Sequence, residues 1–130
     1  MRFETKGLSE SADAVAPDGS EVRLLARSER GSMAEFRLPP GAVSRAVAHR
    51  SVEELWFVVA GTGRMWRRLG EAEEIVSLST GVSLSLPVGT SFQFRCDGTQ
   101  PLVAVGVTMP PWPGAEEAVF VAGVWEPAAS

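Results

Sequence analysis

The sequence predicts an all-β domain, either a sandwich or a closed barrel of short strands. Thirteen glycines and nine prolines punctuate the 130 residues, and the stretches between them are short and rich in Val, Leu and Phe. Where a stretch is long enough to show a period, polar and apolar residues or two apolar faces alternate with a period of two. No segment reads convincingly as a helix.

In chain order, strands are expected over Glu21–Arg27, Ser32–Leu38, Val43–Val47, Glu53–Ala60, Arg64–Leu69, Glu74–Leu78, Val82–Leu86, Ser91–Arg95 and Leu102–Met109. Turn signals separate them: Pro17-Asp18-Gly19, Pro39-Pro40-Gly41, Gly61-Thr62-Gly63, Pro87-Val88-Gly89 and Cys96-Asp97-Gly98. Proline fixes φ and glycine accepts positive φ, which tight reversals need. The run Met109-Pro110-Pro111-Trp112-Pro113-Gly114 lacks three amide protons and cannot continue a central strand. It is expected to end the barrel and lie across a mouth or an edge. In Glu53–Ala60 one face carries Glu54, Trp56 and Val58 and the other Leu55, Phe57 and Val59, so both faces need cover. The outer face is therefore a place for a second layer or a partner copy, and a homodimer is expected.

Length and composition point to one domain over residues 1–130, with 45 % hydrophobic residues to build its core. Sixteen acidic and twelve basic residues give a net charge of -4 without a long run of one sign. That distribution excludes the basic footprint of a nucleic-acid binder and gives no hold on an anionic membrane surface. No apolar run approaches the roughly 20 residues that span a bilayer, and the amino-terminal MRFETKGLSES lacks the apolar centre of a signal peptide. A cytoplasmic location is the expectation. The single cysteine, Cys96, cannot form an internal disulfide, in keeping with a reducing compartment.

Two stretches carry more than a fold. From Gly41 to Gly61, the glycine is followed by five residues, Val47, one residue, His49, four residues, Glu54, six residues and the closing Gly61. From Gly81 to Cys96, the glycine is followed by five residues, Pro87, one residue, Gly89, two residues, Phe92, three residues and Cys96. These spacings resemble the two motifs of the cupin superfamily, in its small single-domain (cupin type 2) form. In that family the first motif reads glycine, five residues, His-x-His, three or four residues, glutamate, six residues, glycine. The second reads glycine, five residues, proline, any residue, glycine, two residues, histidine, three residues, asparagine. The resemblance implies a double-stranded β-helix, the jelly-roll cupin barrel, with motif 1 at 41–61 and motif 2 at 81–96.

In metal-containing cupins two histidines and the glutamate of the first motif converge with the histidine of the second on one divalent ion. The resemblance implies that Val47, His49, Glu54 and Phe92 occupy those inward positions here. Val47 and Phe92 offer no lone pair, so the metal site is degenerate. One imidazole and one carboxylate fall short of the three or four protein donors of ordinary sites, and no cofactor is expected; a divalent metal would need a further donor from an unexpected strand. The asparagine position holds Cys96, which without a neighbouring base reads as a structural thiol. The chain has no tyrosine, and the His-Tyr acid/base pair of the sugar-epimerase branch is missing.

For His49 and Glu54 two readings are open. They form a polar pair that binds or deprotonates a small ligand in an apolar cavity, or they are a satisfied buried pair left by a metal-binding ancestor. Arg45 shares strand parity with Val47 and His49 and would direct its guanidinium at the cavity mouth; the plainer reading is a solvated arginine. Trp56 and Trp66 would line the cavity wall and present flat surfaces to a ring or a cation, or belong to the core. Trp112, between two prolines, reads as a lid or as an anchor for the tail. Arg67, Arg68, Glu71, Glu73 and Glu74 read as a solvated hairpin tip around Gly70.

The expected pocket thus comprises Arg45, Val47, His49, Glu54, Trp56, Trp66 and Phe92, and the expected function is metal-independent binding of a small molecule. The alternative is an enzyme: an isomerase, cyclase or lyase using His49 as acid or base, or a dioxygenase-like enzyme with a reconstituted metal site.

Overall fold

A computed structural model describes residues 3–129. Eleven strands form among them: β1 (Ala14–Val15), β2 (Glu21–Arg27), β3 (Ser32–Leu38), β4 (Val47–His49), β5 (Glu53–Ala60), β6 (Gly63–Leu69), β7 (Ala72–Leu78), β8 (Ser83–Leu86), β9 (Ser91–Cys96), β10 (Leu102–Met109) and β11 (Ala118–Phe120), with one 3-10 turn at Ala115–Glu117. They pair antiparallel in two sheets, ordered β1-β2-β3-β10-β5-β8 and β11-β4-β9-β6-β7. This is the all-β jelly roll that the cupin resemblance implies. Among the described residues no helix is long and apolar enough to cross a membrane.

The strands expected at Glu21–Arg27, Ser32–Leu38, Glu53–Ala60 and Leu102–Met109 form with those bounds. The strand expected at Val43–Val47 does not. Val43 makes only isolated bridges to Arg95 and Ala128. The Ser44 hydroxyl accepts the Phe94 amide at 3.0 Å, so a side chain interrupts the ladder and β4 begins at Val47. β1 and β11, of two and three residues, are too short to show a period and were not expected.

The two sheets enclose a core that includes Leu38, Val58, Met65, Phe94, Leu102 and Ala104, all at most 2 % exposed. Glycine is required where the β5–β6 connection presses on the loop before β10. At Gly61, φ is 84°, and a Cβ would stand 2.4 Å from the Pro101 carbonyl oxygen.

The tail after β11 folds back over the outside of the second sheet. Gln93, 1 % exposed, donates to the Ser44 and Trp125 carbonyls and accepts from the Val124 and Trp125 amides. All of its hydrogen-bonding capacity goes into fastening that tail. At the opposite end of the chain a buried arginine performs a similar task. Arg23, 5 % exposed, donates to the carbonyls of Ser9 and Glu10 at 2.9 and 3.1 Å, laying the amino-terminal arm along β2.

Candidate functional site

At one end the barrel interior is not filled. A cavity of about 540 Å³ opens there, inside the range of roughly 300–1,000 Å³ that small-molecule sites occupy. Strand register determines which side chains reach it. Val47 on β4 stands opposite Phe92 on β9, and Glu54 on β5 stands between Thr108 of β10 and Leu86 of β8. Two residues along β5, Trp56 stands opposite Gly106, where a Cβ would approach the Phe36 ring to 2.7 Å. The glycine therefore leaves room for Phe36 and Trp56 to stack, with ring centroids 5.0 Å apart.

The four positions that the cupin resemblance implies as inward lie around one cavity. His49 Nδ1 lies 3.1 Å from Glu54 Oε1, the His49 ring meets Phe92 edge-on at 5.3 Å, and Val47, His49, Glu54 and Phe92 all line the cavity. Two donors and two hydrocarbon side chains do not make a site for a first-row divalent ion, which takes three or four protein ligands. Among the described residues no group of three or more His, Cys, Asp or Glu side chains is placed to hold a metal ion.

Burial dominates the electrostatics. His49 and Glu54 are 9 % and 3 % exposed, and a charged group removed from water is disfavoured. Burial lowers the His49 pKa to about 4, against the opposing pull of the Glu117 carboxylate. It raises Glu54 to about 7, opposed by the Trp56 indole N–H that donates to its carboxylate and reinforced by the nearby charge of Asp18. Between these values the imidazole and the carboxyl are both neutral. Asp18 is likewise raised by burial, although the amide and hydroxyl of Ser20 both donate to its Oδ1. Glu117 sits on the 3-10 turn and accepts from the amides of Arg50 and Ser51 and from the Ser51 hydroxyl. Those donors outweigh burial and hold its pKa below the usual carboxylate range.

Aromatic rings form much of the wall. Trp56 meets Phe92 and Phe94 edge-on at 6.1 and 5.0 Å, and Trp112 meets His49 at 5.0 Å. The proline-rich segment after β10 borders the cavity through Trp112, pinned where the Trp112 amide donates to the Ser32 hydroxyl at 2.9 Å. Ser32 in turn shares a 2.6 Å hydrogen bond with Thr108. Trp112 thus packs against the imidazole of the polar pair, while exposed Glu4 and Lys6 bring the amino-terminal arm to the cavity.

Of the seven expected pocket residues, Val47, His49, Glu54, Trp56 and Phe92 come together; Arg45 and Trp66 do not. Arg45 is exposed on the outside, with its guanidinium 3.6 Å from the centroid of the Phe120 ring. The parity that assigned it to the interior fails because the chain is not a regular strand before Val47. Trp66 lies on the opposite face of β6 from the core residue Met65, beside Gln93, and its indole N–H donates to Glu73 at 2.7 Å. Glu73, read as part of a solvated tip, is therefore a partner for a buried ring. Asp18, Phe36, Thr108 and Glu117 reach or support the site without having been expected there. Phe36 was legible in principle, since it shares a face of β3 with Ala34 and Leu38. Asp18 sits in what reads as an ordinary turn.

The chain matches the family described as Cupin domain over residues 34–108. No curated protein matches it. Among solved structures it is similar to an uncharacterised conserved protein with a double-stranded β-helix domain from Klebsiella pneumoniae, at 15 % identity and a TM-score of 0.69, covering 92 % of this chain and 100 % of that one. It is similar to the protein BH2720 from Bacillus halodurans, at 17 % identity and a TM-score of 0.65, covering 78 % and 76 %. A variant of oxalate decarboxylase from Bacillus subtilis matches at 17 % identity and a TM-score of 0.70, with 82 % of this chain aligned to 29 % of that one. At these identities the likeness is one of fold. With both motif spacings kept, a jelly roll formed and the family match extending over more than half its length, this chain belongs to the cupin family.

Proposed function

We propose that this cupin binds a small molecule in the barrel cavity and does so without a metal ion. The observation that carries the reading is the cavity itself, a space of about 540 Å³ in which the pattern's four ligand positions supply an imidazole, a carboxyl and two hydrocarbon groups. A site of this kind binds by apolar contact and one or two directed hydrogen bonds. Thermal-shift screening against small metabolites, with and without divalent cations, tests it. Stabilisation by metabolites in the presence of chelator is the expected result, and stabilisation by a metal alone at micromolar concentration overturns it.

One observation favours a second, enzymatic reading of the same cavity. Glu54, with its pKa raised to about 7, is tuned as a proton donor and acceptor near neutrality, whereas His49, lowered to about 4, is a weak base. An isomerase, cyclase or lyase on this scaffold would thus move its proton through Glu54, with His49 orienting it. Loss of turnover in Glu54→Gln on any substrate that the screen identifies is the result that supports it.

The reading includes a homodimer. Leu55, Phe57 and Val59 form an outward stripe on β5, 51 %, 48 % and 40 % exposed, beside the half-buried Val103, Val105 and Val107 of β10. Sedimentation should give twice the monomer mass, and Phe57→Glu should halve it.

A further inference from the structure

Resting on the reading of the cavity as a small-molecule site, we infer that its ligand carries an amine, which Asp18 and Glu54 receive within the aromatic wall.

The balance of polar groups on the lining points to a cation or a strong hydrogen-bond donor. Most of those groups are already committed. Trp56 donates its indole N–H to Glu54, and Ser32, Thr108 and the Trp112 amide are bonded to one another. Asp18 is different. It is 7 % exposed and lines the cavity, yet its two hydrogen bonds, from the Ser20 amide at 2.9 Å and hydroxyl at 2.7 Å, both end on Oδ1. Among the described residues Oδ2 accepts none. The one side-chain polar atom that is both sealed in and unpartnered among those residues is Thr90 Oγ1, so the free Asp18 oxygen opens onto the cavity rather than into packed protein.

Charge points the same way. Asp18 is close enough to Glu54 for the two carboxyls to repel as anions. The basic side chains on the lining other than His49 are Lys6 and Arg27, and both are exposed, where water and salt screen them. A ligand carboxylate placed inside would meet two acids and no buried cation. An ammonium would pair with both acids, and the rings of Trp56, Phe92 and Trp112 suit a cation better than an anion.

The sequence marks Asp18 only as the middle of a Pro-Asp-Gly turn, and its structural task is done by one oxygen. Asparagine at this position keeps that oxygen and the bonds from Ser20, while it removes the charge.

Calorimetric titration at pH 7.5 with tryptamine, tryptophol and indole-3-acetate tests the inference, since the three share a ring and differ in the charge of the side chain. Tryptamine should bind at least tenfold more tightly than tryptophol, with indole-3-acetate weakest, and Asp18→Asn should bring tryptamine to the level of tryptophol without weakening tryptophol. Equal binding of all three, or a preference for the carboxylate, overturns the amine inference and leaves small-molecule binding standing. An undiminished amine preference in Asp18→Asn also overturns it. Failure of all three to bind counts against both.

Discussion

The two ends of the barrel interior are made from the same strands and yet are different materials. Along β10 the inward residues run Leu102, Ala104, Gly106, Thr108; along β5, read from the same end, they run Val58, Trp56, Glu54; along β3, Leu38, Phe36, Ala34. At one end Leu102 faces Leu38 across the ladder, and both are at most 2 % exposed. At the other Gly106 faces Ala34, and Thr108 faces Glu54. Each run ends on a side chain that is smaller or more polar than the one it begins with, Thr108 against Leu102, Glu54 against Val58 and Ala34 against Leu38. The filled end supplies stability, and the open end leaves the cavity of about 540 Å³ in which the proposed ligand would sit.

That division of labour is broken most forcefully at the filled end. Leu102→Ala, at 1 % exposure, should cost about 2–5 kcal/mol in urea unfolding and leave tryptamine affinity unchanged. A parallel loss of binding would mean that the two ends are not independent. At the open end, the double substitution Val47→His and Phe92→His restores the donors that the cupin pattern places there. Zinc should then stabilise the variant by about 2.7 kcal/mol at a hundred times its Kd and leave the wild type unmoved. An equal response from the wild type would show that two hydrocarbon positions do not prevent binding. Arg23→Ala frees the Ser9 and Glu10 carbonyls from a buried guanidinium and should cost about 1–3 kcal/mol. Because the arm borders the rim, faster ligand exchange in stopped flow should accompany that loss.

A subtler effect concerns pH. Glu54, raised to about 7, contributes stability that is full below about pH 4.5 and is lost as pH rises through 7. His49, lowered to about 4, contributes stability that is full above about pH 6.5 and is lost as pH falls through 4. Between pH 4.5 and 6.5 the folded pair holds its one proton on Glu54, and the unfolded pair holds one on His49, so the contributions cancel and the pair leaves stability flat. His49→Gln removes the compensation. Its stability should fall with rising pH by up to about 1.4 kcal/mol per unit across that window, where the wild type shows no slope from this pair.

Much of this organisation was legible in the sequence. Glu53–Ala60 and Leu102–Met109 are largely apolar runs bounded by turn residues, so their ends were readable, whereas the strict alternation of their faces shows only in the burial. The cupin resemblance then implied Val47, His49, Glu54 and Phe92 as neighbours inside the barrel, and all four line the cavity. Parity failed where a side chain intervened in the backbone ladder, as Ser44 does beside Arg45. It also failed to set the face of Trp66, because burial of a tryptophan does not say which side of a sheet buries it. The amino-terminal arm, the tail and the role of Asp18 depend on single side chains bonding to distant or adjacent backbone, and such contacts leave no periodic trace.

His49 is the only histidine in the chain, so its imidazole resonances are unambiguous in an NMR titration. A buried, uncharged pair in an apolar cavity predicts that this ring titrates near pH 4. Titration at or above 6.5 would place a hydrated or ion-paired imidazole there and contradict the account of the open end.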